Sequence, residues 1–451
     1  MTRPIFLLGL LSLIPYGLAW RLGDLRRHTV GFLALFFVAF ALYGAATWLA
    51  LRVKEMSGRE IAALFVLAIA MQSFLIFTPP TLSDDMYRYV WNGRVQAQGI
   101  SPYEYPPNAS ELAHLRDPVI YPHINRKSAV TVYPPAAETA YALLWRVWPD
   151  SVRWFQMAMA GGGLLAGVLL LGVLAELGQS PARLLIYLWS PLLAFETAHA
   201  AHVDGLVLPL LVGAWWARLQ QRDGLVGILL GLATAVKLYP ILLLPALWRP
   251  RDRRGRWQMP LAFAATLAAC YAPYVLRSGP GVIGYLPNYF HERFNMGLAG
   301  LLIPGFTALG FDPDRGVLLL LLLVLGLIAL VHVWRPPAGA AAAVRRCLWP
   351  IGAFTLLTQN LFPWYMLWLL PLVALFLQSD VGVVRQGEGE MRRQEAWTGW
   401  WLFCGLVVLS YSFFIEWRPV PWAIALQFIP LYLFLLADLI RQTQDAVRSH
   451  R

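Results

Sequence analysis

A chain of 451 residues that is 58% hydrophobic and only 14% charged, with mean hydropathy +0.56, is not an ordinary soluble domain, in which about a quarter of residues are charged. Several stretches reach the roughly 20 apolar residues that cross a bilayer, and no strand-like alternation argues for a barrel, so the chain reads as an all-α polytopic membrane protein. The formal charge of +11 does not call for nucleic acid: it concentrates in short loops such as Arg249–Arg256, as cytoplasmic loops beside anionic lipid do.

In chain order, spanning helices are predicted near 4–20, 30–51, 61–78, 151–177, 184–198, 205–218, 258–276, 317–334, 347–361, 364–378, 398–415 and 422–441. The first, Pro4–Trp20, lacks a small-residue cleavage site and is expected to be retained. A stretch of about 57 residues, Pro79 to Pro135, then interrupts the apolar pattern. Segment 136–148 is apolar but short, and is expected to lie in the outer interface, anchored by Trp145 and Trp148. Segment 224–248 is long enough for one span, yet carries Lys237 and Pro240 in its middle. A lysine at bilayer depth is costly and a proline breaks the helix ladder. Two half-helices meeting at Lys237 remove both problems and put Arg218, Arg222 and the Arg249–Arg256 cluster on one side.

That hairpin makes loops 249–257, 335–346, 379–397 and the tail cytoplasmic, with Gln386–Gln394 a polar linker. Loops 79–135, 199–204, 277–315, 361–363 and 416–421 become extracytoplasmic. The first loop, with Arg21, Arg26 and Arg27, falls on the outer side, against its charge. Four regions follow: N-terminal helices 1–78, an outer loop region 79–150, a core module 151–276 and C-terminal helices 277–451. Cys270, Cys347 and Cys404 lie far apart in apolar segments and form no disulfide or zinc pattern.

The chemistry is sought where ionisable side chains meet the membrane edge. In a helix over 83–94, Asp85, Arg88, Tyr89 and Asn92 share one face, while Asp84 points partly away. A carboxylate, a guanidinium, a phenol and an amide together suit a general base beside a bound phosphate. The structural alternative has one aspartate capping the helix and Asp85 paired with Arg88. The stretch Gly99–Pro107, with Tyr103, suits either a sugar ring or an interfacial aromatic belt. His199, His202 and Asp204 form a ligand pocket or a weak metal pattern, and Glu196 in the preceding span needs an internal partner. Lys237 beside Tyr239 suits a lipid phosphate better than snorkelling. Two further outer segments carry His291, Glu292, Arg293 and Asn295, and Trp364 with Tyr365.

These motifs resemble the GT-C superfold of membrane glycosyltransferases, and within it the bacterial polyprenyl-phosphate-mannose-dependent mannosyltransferases. The matching residues are Asp85–Tyr89, Trp91–Arg94, Gly99–Tyr103, Val132–Pro135, His202–Gly205, Gly231–Pro240 and Phe362–Tyr365. The family often has histidine where this chain has Phe362, so that residue's role does not carry over. The resemblance implies a GT-C-like bundle of about 12–14 transmembrane helices with interfacial helices in a large first outer loop. It implies an inverting glycosyltransferase in the cytoplasmic membrane, active on its outer face. The donor would be a polyprenyl-phosphate-linked sugar, mannose by resemblance, and the acceptor a glycan, glycolipid or lipid hydroxyl. Asp85 would be the base with Asp84 beside it, and Lys237, Arg88 and Arg293 would hold the donor phosphate. Tyr89, Asn92, Tyr103, Tyr133, His202, Asp204, Tyr239, His291, Asn295, Trp364 and Tyr365 would bind substrate. A divalent cation is an option, with Asp84, Asp85, His202 and Asp204 as its ligands. The competing readings are a flippase for a lipid-linked sugar, which broken helices also fit, and a non-catalytic glycan-binding partner.

Overall fold

The computed structural model describes residues 2–249, 255–289, 291–378 and 394–449. Most of the basic loop 249–257, the arginines Arg385, Arg392 and Arg393, and most of the linker 386–394 lie outside them. Nine helical stretches among the described residues are long and apolar enough to cross a membrane. The chain is a multi-pass, helical membrane protein. Helices dominate because a backbone in lipid must satisfy its own polar groups.

Helices α1 (Arg3–Leu22), α2 (Thr29–Ala50) and α3 (Gly58–Ile76) form the first three spans. Ser57 and Glu60 start α3 with a reciprocal capping box. Two helices of the long loop follow, α4 (Asp85–Ala97) and α5 (Pro135–Val147). They cross closely at Gly93, where an added Cβ would lie 2.7 Å from the Tyr141 carbonyl. Helix α6 (Val152–Glu176) is a full span.

The expected straight span at 184–198 is instead broken into α7 (Leu184–Leu188), α8 (Pro191–Ala194) and a π-helical turn, Phe195–His199. Pro191 removes a ladder donor, and the segment is buried in protein rather than facing lipid. Helix α9 (Asp204–Leu219) packs on α6 so tightly that a Cβ on Gly205 would sit 2.4 Å from the Met159 carbonyl. Helix α10 (Asp223–Val236) stops at Lys237, whose backbone is extended. A 3₁₀ turn (Tyr239–Leu243) and α11 (Leu244–Leu247) lead back. Arg218 pairs with Asp223 at 2.5 Å and donates to the Leu247 carbonyl at 3.3 Å. The segment thus returns to the end from which α10 set out, as the hairpin expectation requires.

Helix α12 (Gln258–Ser278), α13 (Leu286–Tyr289), α14 (Leu298–Ala308) and α15 (Pro313–Trp334) follow. Helix α14 is an apolar helix inside the stretch expected to be an outer loop. Then come α16 (Ala340–Arg346) and α17 (Leu348–Leu357). The expected span 364–378 is a 3₁₀ turn, Pro363–Trp368, followed by α18 (Leu370–Phe376), broken by Pro363 and Pro371 and almost wholly buried. Helices α19 (Gln394–Leu406), α20 (Phe413–Glu416) and α21 (Pro421–Ser449) complete the bundle.

The five loops expected on one side gather at one end. Arg126 of the long loop pairs with Glu292, and Phe294 exchanges backbone hydrogen bonds with Gln359 and Leu361. The first loop joins them, because Arg26 binds Asp84 at 2.7 Å.

Candidate active site

At this end a cavity of about 790 Å³ opens between the long loop and the helix breaks. Its lining includes the polar side chains of Arg26, Asp84, Asp85, Arg88, Asn125, Arg126 and Lys237. It also includes the aliphatic side chains of Leu318, Leu321, Leu322 and Leu325 of α15 with Ile241 and Leu242. The aromatic rings of Tyr239, Tyr289, Phe362, Trp364, Tyr365 and Trp368 line the cavity as well.

Asp85 begins α4, with Ser83 Oγ accepting from its backbone N–H at 3.3 Å. Asn125 Nδ2 donates to its Oδ1 at 2.6 Å. Burial raises the Asp85 pKa above the ordinary carboxylate range, against the Arg126 charge, the Asn125 hydrogen bond and the Lys237 charge. A carboxylate so placed is a better proton acceptor than a solvated one. Asp84 does not cap the helix with its side chain, and pairs with Arg26 instead.

Lys237 reaches the same cavity because α10 ends there. Its Nζ donates to Asp204 Oδ2 at 2.7 Å, and Trp368 Nε1 donates to Asp204 Oδ1 at 2.5 Å. The ammonium also lies over the rings of Tyr365 and Trp368, at 5.0 and 5.4 Å. Asp204 is 0% exposed, so the buried carboxylate fixes the lysine, and the glycine contact of α9 on α6 fixes the carboxylate. His202, Trp364, Phe362 and Phe294 form a continuous ring stack, with successive centroids 3.7, 4.3 and 4.7 Å apart. Phe362, where histidine was expected from the resemblance, is thus one layer of a stack.

The matched segment decides the family. Residues 18–249 match the family described as alpha-(1->6)-mannopyranosyltransferase, N-terminal domain. The chain belongs to this mannosyltransferase family. It is also similar to GPI mannosyltransferase 1 of Gibberella zeae, 32% identical over 22% of this chain and 25% of that protein. A second GPI mannosyltransferase 1, from Aspergillus fumigatus, is 34% identical over 26% of this chain and 29% of that protein. The chain therefore covers under a third of the length of these relatives. The polar residues of the cavity named above all lie within the matched segment, and the α15 wall lies beyond it.

Not every predicted site residue meets the cavity in the expected way. Arg88 lines the cavity, but it does not form the structural pair with Asp85. Its guanidinium donates to Asn92 Oδ1 at 3.0 Å and to the carbonyls of Arg126 and Ala129 at 3.4 and 2.8 Å, so it ties the long loop together. Burial lowers its pKa to about 10. Asn92 donates to Glu138 at 2.8 Å, away from the cavity wall. Tyr103 donates to the Tyr133 carbonyl at 2.6 Å, and of that pair only Tyr133 lines the cavity, as Tyr89 does. Arg293 pairs with Asp314 at 2.6 Å outside the cavity, whereas Arg26, Arg88 and Arg126 line it. His291 is exposed and Asn295 donates to Gln427 at 2.8 Å.

Asp84, Asp85, His202 and Asp204 do not converge as a metal site. Among the described residues no three histidine, cysteine or acidic side chains group to hold an ion. Asp84 and Asp204 are instead committed to Arg26 and Lys237.

Arg26, Asn125, Arg126 and Glu138 were not singled out by the motifs. The signal for Arg26 was its charge on the outer side, a cost that Asp84 offsets. Asn125 and Arg126 lie in irregular loop with no periodicity to mark them.

Proposed function

We propose that the protein is an inverting mannosyltransferase that uses a polyprenyl-phosphate-linked mannose at the outer face of the cytoplasmic membrane. The observation that supports this reading is a single cavity whose lining combines a half-buried carboxylate, Asp85, and the cations Lys237, Arg26, Arg88 and Arg126 with the aliphatic side chains of α15. An isoprenoid chain matches the α15 wall, and a phosphodiester matches the cations. The outer face is supported by the charge asymmetry of the sequence, in which basic residues concentrate in the short loops expected on the cytoplasmic side.

The reaction is a single displacement. Asp85 takes the proton of an acceptor hydroxyl as its oxygen bonds to the anomeric carbon. The bond from that carbon to the phosphate oxygen breaks, and its electron pair leaves with the lipid phosphate. Lys237 and Arg126 face the growing phosphate charge, in surroundings of low dielectric where fixed charges act strongly. Lys237 meets it already oriented by Asp204. The acceptor is a hydroxyl of a glycolipid, glycan or lipid, and the family description favours a mannoside.

The test is transfer by purified protein in detergent, from radiolabelled polyprenyl-phosphate mannose to octyl α-mannoside. Transfer by wild type and its loss in Asp85→Asn support the reading. Transfer that survives Asp85→Asn rejects Asp85 as base, and a wild type inactive with this donor rejects the donor.

A further inference from the structure

The displacement leaves one buried acid beside the site without a task. Glu196, in the π-helical turn, is 0% exposed. Tyr411 Oη donates to its carboxylate, 3.1 Å from each oxygen. The same carboxylate faces His202 Nε2 at 3.3 Å. The other ring nitrogen, His202 Nδ1, faces Asp85 Oδ2 at 3.8 Å. His202 is 1% exposed, its ring lies on Trp364, and neither nitrogen has a hydrogen-bond partner among the described residues. One imidazole therefore stands between two acids.

A neutral imidazole carries one N–H and one lone pair. Between two ionised carboxylates, one nitrogen must turn its lone pair towards negative charge. One more proton relieves this. When Asp85 holds that proton, its O–H can turn to Nδ1 while Nε2–H faces Glu196. All three groups are then satisfied, and the extra proton is the one that Asp85 removes from the acceptor. The separation of 3.8 Å is longer than a hydrogen bond, as catalytic contacts often are before substrate binds.

We propose that Glu196, acting through His202, is a positioning residue that favours the protonated product state of Asp85 and so strengthens it as a base. This rests on the reading of Asp85 as the base. Other charged or titratable groups facing these residues include Lys237, Arg126, Arg88, Arg26, Asp84, Asp204, His199 and the tyrosines Tyr89, Tyr133, Tyr289 and Tyr365, and all stay in place in the test variants.

The experiment is the same transfer assay run from pH 4 to 9, with folding checked by thermal unfolding. In Glu196→Gln, Tyr411 donates to the amide oxygen and the amide N–H faces Nε2. Nδ1–H then points at Asp85 and favours its carboxylate. The expected result is a fall in kcat of about 10²-fold, an unchanged KM for the donor and an acid limb moved to lower pH. His202→Asn should lose a similar factor, and the double variant should be no worse than either single one. Unchanged kcat and acid limb in either variant, or losses that multiply in the double one, overturn the proposal. If Glu196→Gln does not fold, His202→Asn tests the link from its other side by the same criteria. A wild type inactive with polyprenyl-phosphate mannose overturns the donor reading first, whereas an active wild type with normal variants overturns this inference alone.

Discussion

Asp85 is held between a hydrogen bond that favours its charge and a burial that opposes it. Activity should fall as pH drops through its raised pKa, because the base must be ionised. Asn125→Ala removes a donor to the carboxylate, so the acid limb of kcat should move to higher pH, opposite to Glu196→Gln. An unmoved limb would remove Asp85 as the titrating group. Lys237 needs a two-step test. Lys237→Met strands a carboxylate that is 0% exposed and should cost on the order of 3 kcal/mol in stability. Lys237→Met with Asp204→Asn should restore the melting temperature without restoring transfer. Recovery of both would make the lysine purely structural. Both residues were legible beforehand, since a charge at membrane depth is expensive wherever it occurs. Their pairing was not, because 33 residues and a helix reversal separate them.

At the scale of elements, α4 and α5 are joined by Glu138. It is 0% exposed and accepts from Asn92 at 2.8 Å and Thr131 at 2.6 Å. Burial raises its pKa to about 7, from 4.5 for a free glutamate. The folded state therefore binds this proton more tightly than the unfolded state does. Its stabilising contribution is full below about pH 4.5 and is lost as pH rises through about 7. The melting temperature should fall from pH 5 to pH 8, and Glu138→Gln should flatten that slope. An equal slope in the variant would locate the titration elsewhere. Gly205→Ala tests the packing of α9 on α6. Its methyl would meet the Met159 carbonyl, and such overpacking costs about 1–3 kcal/mol. Lower activity at a normal donor KM is expected, because Asp204 and Lys237 shift together. The helices themselves were readable from apolar runs. The breaks at 184–199 and 363–376 were not, since a buried segment and a lipid-spanning one are equally apolar.

Across the whole molecule, one cavity combines polar side chains of the long loop and Lys237 with aliphatic side chains of α15. Leu325 is one of these and is half-buried. Leu325→Trp should exclude the equivalent of about two methylene groups of a bound chain. That loss is about 1.6 kcal/mol, or roughly tenfold in donor KM. It should appear with long polyprenyl donors and vanish with a short-chain analogue. Equal effects on both would place the lipid chain elsewhere. The first loop belongs to this scale too. Arg26 lies against the charge rule in the sequence, and only the closed bundle shows it meeting Asp84, 58 residues away.

The sequence by itself determined that this chain fills a membrane with helices, that one long loop carries acids at its edge, and that the helix must break at Lys237. Each is a local cost in an apolar medium, paid or avoided within a few residues. The tertiary structure decided which charge neutralises which: Arg26 with Asp84, Lys237 with Asp204, Arg126 with Glu292, and His202 between Asp85 and Glu196. The physical reason is that ion pairing depends on distances of a few ångströms, set by how distant helices pack.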